Sequence, residues 1–263
     1  MKHKLQNSKF HFVGIGGIGM CGLAELLHNM GAEVSGSDLS ENANTDHLRQ
    51  IGLKIQKGHQ ADHVQDVDVV VYSSAVKKEN PELVEAMKKK IPVIPRAEAL
   101  AEIMRLKRGI AIAGTHGKTT TTSLTAALFL AAKLNPTIVV GGRLDLIQST
   151  AKLGEGDWII AEADESDGSF NKLSPEIAII TNIDNDHLDY YKSFENLQKA
   201  FLAFASKVPF YGCVIVCGDD PLVRNLFRNF HKKIFFYGFS EENEYIILGE
   251  NGKYSLQHRT QEK

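Results

Sequence analysis

The sequence predicts an α/β chain made of two successive units that each open on a strand, a glycine turn and a helix. Three observations carry this. Apolar runs of strand length alternate with stretches of helical spacing along most of the chain. Phe10-His11-Phe12-Val13 leads into Gly14-Ile15-Gly16-Gly17-Ile18-Gly19 and then into a helical stretch. Ile110-Ala111-Ile112-Ala113 leads likewise into Gly114-Thr115-His116-Gly117-Lys118-Thr119 and a second helical stretch.

The bulk properties fit that reading. A chain of 263 residues with 43% hydrophobic content holds one large or two ordinary cores. A net charge of -2, with Lys and Arg scattered, makes no electrostatic case for nucleic acid or a membrane surface as partner. Cys21, Cys213 and Cys217 lack zinc-site spacing, and the latter two sit in an apolar run and read as buried thiols. No apolar run approaches the length of a membrane span, and no signal-peptide core is present, so a soluble cytoplasmic protein is expected.

In the first unit, residues 10–13 read as a strand and 20–27 as a helix, with G-x-G-x-x-G between them. Residues 34–38 form a second strand ending in Asp38, about 20 residues after the glycines. This is a Rossmann-like fingerprint. Gly16, Gly17, Ile18 and Gly19 make a tight turn that lets a diphosphate approach a helix N-terminus. Nothing in it demands nicotinamide, and any diphosphate-bearing nucleotide would fit. The alternative is a purely structural glycine turn. Residues 68–72 read as a strand opening into Ser73 and Ser74, 81–90 as a helix started by Asn80-Pro81, 91–94 as a strand and 96–104 as a helix. Ligands of open α/β sheets sit beyond the carboxyl ends of the strands. That rule gathers Gly16, Gly17, Ser37, Asp38, Ser73, Ser74 and Arg96 around one crevice, although each polar residue alone could be a cap or turn residue.

The basic stretch 105–109 reads as a linker, which sets two domains at 1–107 and 108–263. The second opens on a P-loop-type turn. Backbone N–H groups of Gly114, Thr115, His116, Gly117, Lys118, Thr119 and Thr120, with the helix dipole, would cradle phosphates. Lys118 would meet the β/γ-phosphates and the Thr119 hydroxyl a Mg²⁺ ion. The strict pattern places a glycine where Ile112 stands, so only the shorter Gly114-x-x-Gly117-Lys118-Thr119 is present. An ordinary threonine-capped helix is the alternative. Four consecutive threonines suit a first helical turn better than a helix interior.

Residues 158–164 and 177–182 read as further strands, taken as parallel neighbours that present Glu162 and His187 at the glycine-loop edge of the sheet. Glu162 would complete a Mg²⁺ site with phosphate oxygens, and neutral His187 would add a second ligand. Asp164, Glu165, Asp167 and Asp184 read mostly as a solvated acidic loop. Residues 194–208 carry apolar side chains at helical spacing and form a core helix. A strand at 213–217, a helix capped by Asp219-Asp220-Pro221, and strands at 234–238 and 245–248 follow. The polar run 258–263 closes the sequence.

Four stretches together resemble the Mur ligases: Gly14-Ile15-Gly16-Gly17-Ile18-Gly19-Met20, Gly114-Thr115-His116-Gly117-Lys118-Thr119-Thr120-Thr121, Glu162-Ala163-Asp164-Glu165-Ser166-Asp167, and Thr181-Asn182-Ile183 through Asp186-His187-Leu188-Asp189. The resemblance runs from about residue 10 to about 240. Arg96-Ala97-Glu98 and Pro209-Phe210-Tyr211-Gly212 point to the member that joins L-alanine to UDP-N-acetylmuramate for peptidoglycan and the cell wall. The resemblance implies ATP and Mg²⁺ as cofactors, with Lys118, Glu162 and His187 catalytic. Lys118 and the backbone from Gly114 to Thr120 would hold phosphates, Thr119 and Glu162 one Mg²⁺, and His187 with Glu162 a second. Gly16 to Gly19 would carry the UDP diphosphate. Some relatives use a carbamylated lysine, for which Lys192 and Lys199 both lie nearby. Mur ligases have three domains, so the resemblance implies a central domain cut short, no amino-acid-binding domain, and a chain inactive as a ligase alone. The rival readings are an NAD(P)-dependent oxidoreductase, which leaves Lys118, Thr119 and Glu162 unexplained, and a nucleotide-binding regulatory module.

Overall fold

The computed structural model describes residues 5–144, 147, 149–250 and 253–259. The architecture is α/β, and contacts divide the chain into two compact units: 1–106 with 126–158, and 107–125 with 159–263.

The first unit is built on a five-stranded parallel sheet. Its strands are β1 (Lys9–Val13), β2 (Glu33–Asp38), β3 (Lys54–Lys57), β4 (Val69–Tyr72) and β5 (Val93–Pro95), in the order β3-β2-β1-β4-β5. Helices α1 (Ile18–Asn29), α2 (Ala43–Gln50), α3 (Pro81–Lys88) and α4 (Arg96–Met104) connect them, with a 3₁₀ turn at Ala61–Val64. The order reverses at β1, which puts the turn after β1 at the switch point of the sheet. Phe10 to Val13 of β1 are buried because both faces of a parallel sheet are covered. Val13, Val64, Val70, Leu83 and Ala86 form one core cluster beneath α3.

Local chemistry explains the helix starts. Asn80 caps α3 through its side chain, with Pro81 at the first helical position. Asn42 and Thr45 make a reciprocal capping box on α2. Sequence patterning misses α2 and β3, because α2 buries only Thr45 and Leu48 and β3 is an exposed edge strand. It also misses the antiparallel hairpin β7 (Thr137–Leu144) and β8 (Ser149–Lys152), which groups with the first unit. There Ser149 donates to Glu25 of α1 at 3.1 Å.

The second unit holds β6 (Arg108–Ala113), β9 (Trp158–Glu162), β10 (Ile177–Ile180), β11 (Cys213–Cys217), β12 (Ile234–Gly238), β13 (Tyr245–Glu250) and β14 (Lys253–His258), in the order β14-β13-β12-β11-β10-β6-β9. β6 pairs parallel with β10, β10 with β11, and β11 with β12. β14 returns antiparallel on β13, and every residue of it is exposed, including the alternating Tyr254 and Leu256. The helices are α5 (Lys118–Ala131), α6 (Leu188–Tyr191), α7 (Phe194–Ala205) and α8 (Pro221–Phe227). Leu197, Phe201, Phe204 and Ala205 of α7 are buried, and Phe204 stacks on Phe170 at 5.1 Å between centroids. Asp220 caps α8 by accepting from Leu222 and Val223 N–H groups. Cys213 and Cys217 are only half-buried, against the expectation of buried thiols, because the alternation of β11 sends Val214 and Val216 inward instead. The last residues of the polar run, 260–263, lie outside the described residues. Among the described residues no helix is long and apolar enough to cross a membrane.

Candidate functional site

The phosphate-type turn of the second unit connects β6 to α5 and is held from one side by β10. Thr181 Oγ1 donates to the His116 carbonyl at 2.6 Å, and Asn182 Nδ2 donates to the same carbonyl at 3.0 Å. His116 N–H donates back to Asn182 Oδ1 at 2.9 Å, and Thr115 Oγ1 accepts from Asp184 N–H at 2.9 Å. Gly114, at φ +137°, is a true steric requirement. A Cβ there would lie 2.0 Å from Thr181 Oγ1. Gly117 turns the chain into the helix at φ +77°. Past it, Lys118, Thr119 and Thr120 occupy the first turn of α5, whose N–H groups have no intrahelical carbonyl to meet. Hydroxyls of Thr122 and Ser123 bond back to the carbonyls of Lys118 and Thr119, which absorbs the polarity of this threonine-rich turn. Of the expected cradle, therefore, the N–H of His116 and the hydroxyl of Thr115 brace the loop on β10. Gly117 to Thr120 form the helix start.

Glu162 ends β9, and its Oε2 accepts from Thr119 Oγ1 at 3.0 Å. The expected route to this geometry needs correction. The strands bearing Glu162 and leading to His187 are not neighbours. β6 lies between β9 and β10, so the glycine turn sits centrally with one strand on each side. His187 starts α6 at φ +55°, with Nε2 3.6 Å from Glu165 Oε1.

Glu165 is the residue that sequence reading missed. Assigned to a solvated loop, it is fully buried. Its Oε1 accepts from Lys118 Nζ at 2.8 Å, while Lys118 also donates to the carbonyls of Gly114 at 2.7 Å and Thr115 at 3.3 Å. Burial pushes the Glu165 carboxyl above its ordinary range, and the Lys118 contact opposes that. Its Oε2 has no hydrogen-bond partner among the described residues. The only sequence signal for this was its place in the acidic stretch beside Glu162. Asp184 behaves as expected: it is exposed and faces exposed His116 at 3.5 Å. Lys192 donates to the Asp189 carbonyl at 2.5 Å and Lys199 pairs with Glu195 at 2.7 Å, and both are exposed.

In the first unit, the glycine turn after β1 is shaped by β2. The carbonyl of Ser37 accepts from Gly14 and Ile15 N–H groups at 2.9 and 3.0 Å. Gly16 N–H donates to Asp38 Oδ2 at 2.8 Å, and Asn44 Nδ2 donates to the Gly16 carbonyl at 2.8 Å. Gly17 caps α1, and Ile18 and Gly19 begin it. The Arg96 guanidinium lies against Gly19, 3.1 Å from where a Cβ would stand. Ser73 borders Gly14, and Ser74 is exposed beside it. Ser37 departs from the expected ligand-facing group, because its hydroxyl is buried and donates to Glu82 at 2.6 Å. Asn42 and Asn44, on the unforeseen α2, are additional holders of the loop.

A glycine turn bearing Lys-Thr at a helix start, with a strand-end carboxylate on the threonine, places the second unit in the class of nucleotide-binding α/β domains. The chain belongs to the Mur ligase family. Residues 9–108 match the Mur ligase family catalytic-domain model, and residues 112–261 match the Mur ligase middle-domain model. It is 70% identical over 97% of its length to UDP-N-acetylmuramate–L-alanine ligase of Bdellovibrio bacteriovorus, covering 56% of that protein. It is 58% identical over 92% of its length to the ligase of the same name from Anaeromyxobacter sp., covering 53% of it. The crystal structure of UDP-N-acetylmuramate-alanine ligase from Thermotoga maritima superimposes with a TM-score of 0.78 at 32% identity, covering 91% of this chain and 54% of that one. The chain spans about half the length of the curated relatives it matches.

Proposed function

We propose that this chain carries the UDP-sugar-binding and ATP-binding parts of an enzyme that joins L-alanine to UDP-N-acetylmuramate, with its domains divided at 107/108. The Thr119–Glu162 contact at 3.0 Å, at the N-terminus of a helix led by Lys118, carries the reading on the ATP side. The 70% identical relative carries it on the substrate side.

A carboxylate is a poor electrophile, so amide formation needs activation. ATP would transfer its γ-phosphoryl to the substrate carboxylate, giving an acyl phosphate and ADP. The L-alanine amine would then attack the acyl carbon. The tetrahedral intermediate would lose the amine proton and expel phosphate. The protein's work in such a reaction is positioning and charge neutralisation. Lys118 would exchange its loop carbonyls for β/γ-phosphate oxygens, with Glu165 keeping the ammonium in place. The first-turn N–H groups of α5 would take the remaining phosphate charge. The oxygen donors of Thr119 and Glu162 suit a hard divalent cation, and the orphaned Oε2 of Glu165, whose Oε1 lies 3.6 Å from His187, leaves further ligand capacity. Mg²⁺ held by Thr119 and Glu162, and a second by His187 with Glu162, would supply charge neutralisation at the transferring phosphoryl.

In the first unit the UDP diphosphate would lie at Gly16 to Gly19, with Asp38, Ser73, Ser74 and Arg96 around it. Calorimetry on this chain tests the proposal with UDP-N-acetylmuramate, Mg·ATP and NAD. The expected result is binding of the first two, with Lys118→Ala losing Mg·ATP alone. Tight NAD binding without UDP-sugar binding would overturn it.

A further inference from the structure

The first unit contains a second group of titratable side chains that the ligase reading does not use. Glu82, in the first turn of α3, is fully buried. Its Oε2 accepts from Ser37 Oγ at 2.6 Å and lies 3.1 Å from His59 Nδ1. Its Oε1 lies 2.5 Å from His63 Nδ1 and 3.5 Å from His11 Nε2. His11 comes from the middle of β1 and is also fully buried. His63 comes from the 3₁₀ turn and His59 from the segment before it. Three imidazoles thus converge on one carboxylate beside the apolar cluster of Val13, Val64 and Leu83.

One ring nitrogen makes this arrangement unusual. His11 Nδ1 lies 3.0 Å from Ser35 Oγ, which donates to the Phe10 carbonyl at 3.4 Å, so the other ring nitrogen, Nε2, is the one that faces the carboxylate. This Nε2 has no hydrogen-bond partner among the described residues and is aimed at Glu82 Oε1. A buried ring nitrogen with no hydrogen-bond partner, aimed at a buried carboxylate that already gathers two further imidazoles, is a donor set that a cation would complete.

The geometry points to a divalent transition metal of the zinc type, and we propose that His11, His63 and Glu82 are its protein ligands. Their donor atoms all lie within 4.8 Å of one another. Zinc bonds of about 2.0–2.1 Å in tetrahedral geometry separate ligand atoms by roughly 3.3 Å. The His11–Glu82 spacing already fits. The His63–Glu82 pair, 2.5 Å apart, opens by under about an ångström to admit the metal. Two nitrogens and one oxygen favour a borderline cation over Mg²⁺. The outer partners are of the kind that orient metal ligands: Ser35 on His11 Nδ1, Asp62 3.9 Å from His63 Nε2, and Ser37 with His59 on Oε2. His63 also lines a cavity of about 460 Å³ with Asp62 and Asp66, which gives a cation a path from solvent. The bound ion ties β1, the 3₁₀ turn and α3 together.

The test uses this 263-residue chain, stripped with chelator, desalted and kept in Mg²⁺ without nucleotide. It is titrated with Zn²⁺ and, in parallel, with Co²⁺. The expected result is one tightly held zinc per chain, visible bands of tetrahedral Co²⁺, and a higher melting temperature with metal. His63→Gln and His11→Gln should each weaken zinc binding at least tenfold, with folding checked by circular dichroism. His63 is near the surface, so its variant reads binding even where a deeper one fails to fold. Zinc affinity unchanged in His63→Gln, or no stoichiometric zinc in the wild-type chain, would overturn the proposal. So would a His11 that titrates as a simple imidazolium by NMR while zinc has no effect.

Discussion

The ammonium of Lys118 lies 2.8 Å from a carboxylate oxygen of Glu165 that is shut off from solvent. The contact links the phosphate turn to the loop after β9. It replaces the freedom of a long side chain with one position. Removing one member of a buried pair leaves the other charge uncompensated, at a cost of about 3–5 kcal/mol. Glu165→Ala is therefore expected to lower the urea midpoint and weaken Mg·ATP binding together. A wild-type midpoint with wild-type affinity would show that the pair does not position Lys118.

The Thr119–Glu162 contact predicts a split between metal-dependent and metal-free binding. Thr119→Val removes an oxygen ligand but keeps the shape of the first helical turn. Affinity for Mg·ATP is expected to fall about tenfold, or ~1.4 kcal/mol, while ATP in excess EDTA binds as before. Equal losses with and without Mg²⁺, measured by calorimetry, would remove Thr119 from the metal site.

Two glycines of the same turn should respond differently to alanine. At Gly114 a Cβ meets Thr181 Oγ1 at 2.0 Å, so Gly114→Ala must displace the brace from β10 and should abolish nucleotide binding. At Gly117 nothing lies within 4 Å, and the cost is that of a left-handed residue, about 1–2 kcal/mol. Denaturant midpoints and ATP titrations on both variants check the order. A milder effect at Gly114 would contradict the geometry.

Thiol chemistry reports on the glycine-rich turn of the first unit. Cys21 on α1 is buried, and burial pushes its thiol up to about 11. Its thiolate fraction at pH 8 is roughly one in a thousand, so a disulfide reagent should label Cys217 first, label Cys213 more slowly because burial pushes that thiol up too, and leave Cys21 intact. Fast labelling of Cys21 in native protein, located by peptide mass, would mean that α1 opens readily.

Asp219 predicts an acid-side effect. Burial pushes its carboxyl up, but the N–H groups of Phe239 and Ser240 and the Asn243 amide more than offset that, and it lies below its ordinary value. A depressed carboxyl contributes stability that is present above its unfolded value, about 3.9, and is lost as pH falls through the folded value. Asp219→Asn should therefore destabilise the protein at pH 6 and flatten the loss of stability below pH 4. An unchanged acid limb in urea melts would exclude this carboxylate as a contributor.

Much of the fold is readable from local signals. The buried runs at β1, β6 and β10, the proline-started helices α3 and α8, and the two glycine turns are each encoded within a few residues of themselves. Gly16, Lys118, Thr119 and Glu162 stood out for the same reason, since glycine conformation and a strand-end acid are local properties. Of the elements that escaped, α2, β3 and β8 lack a strong apolar period, whereas β7 carries the buried run Ile138-Val139-Val140 and β14 the alternating Tyr254 and Leu256. α2 buries two side chains, and β14 none.

The sequence by itself determined which turns could meet phosphate and which helices would form, because backbone conformation and hydrophobic period act over a few residues. Only the tertiary structure decided that β6 lies between β9 and β10, that Glu165 turns inward to Lys118, and that His11, His63 and Glu82 converge. Those facts depend on strand order and on residues 19 to 71 positions apart. For Glu165 and Glu82, burial is possible because a distant partner supplies the charge or proton that water would otherwise provide. No window of sequence contains both halves of such a pair.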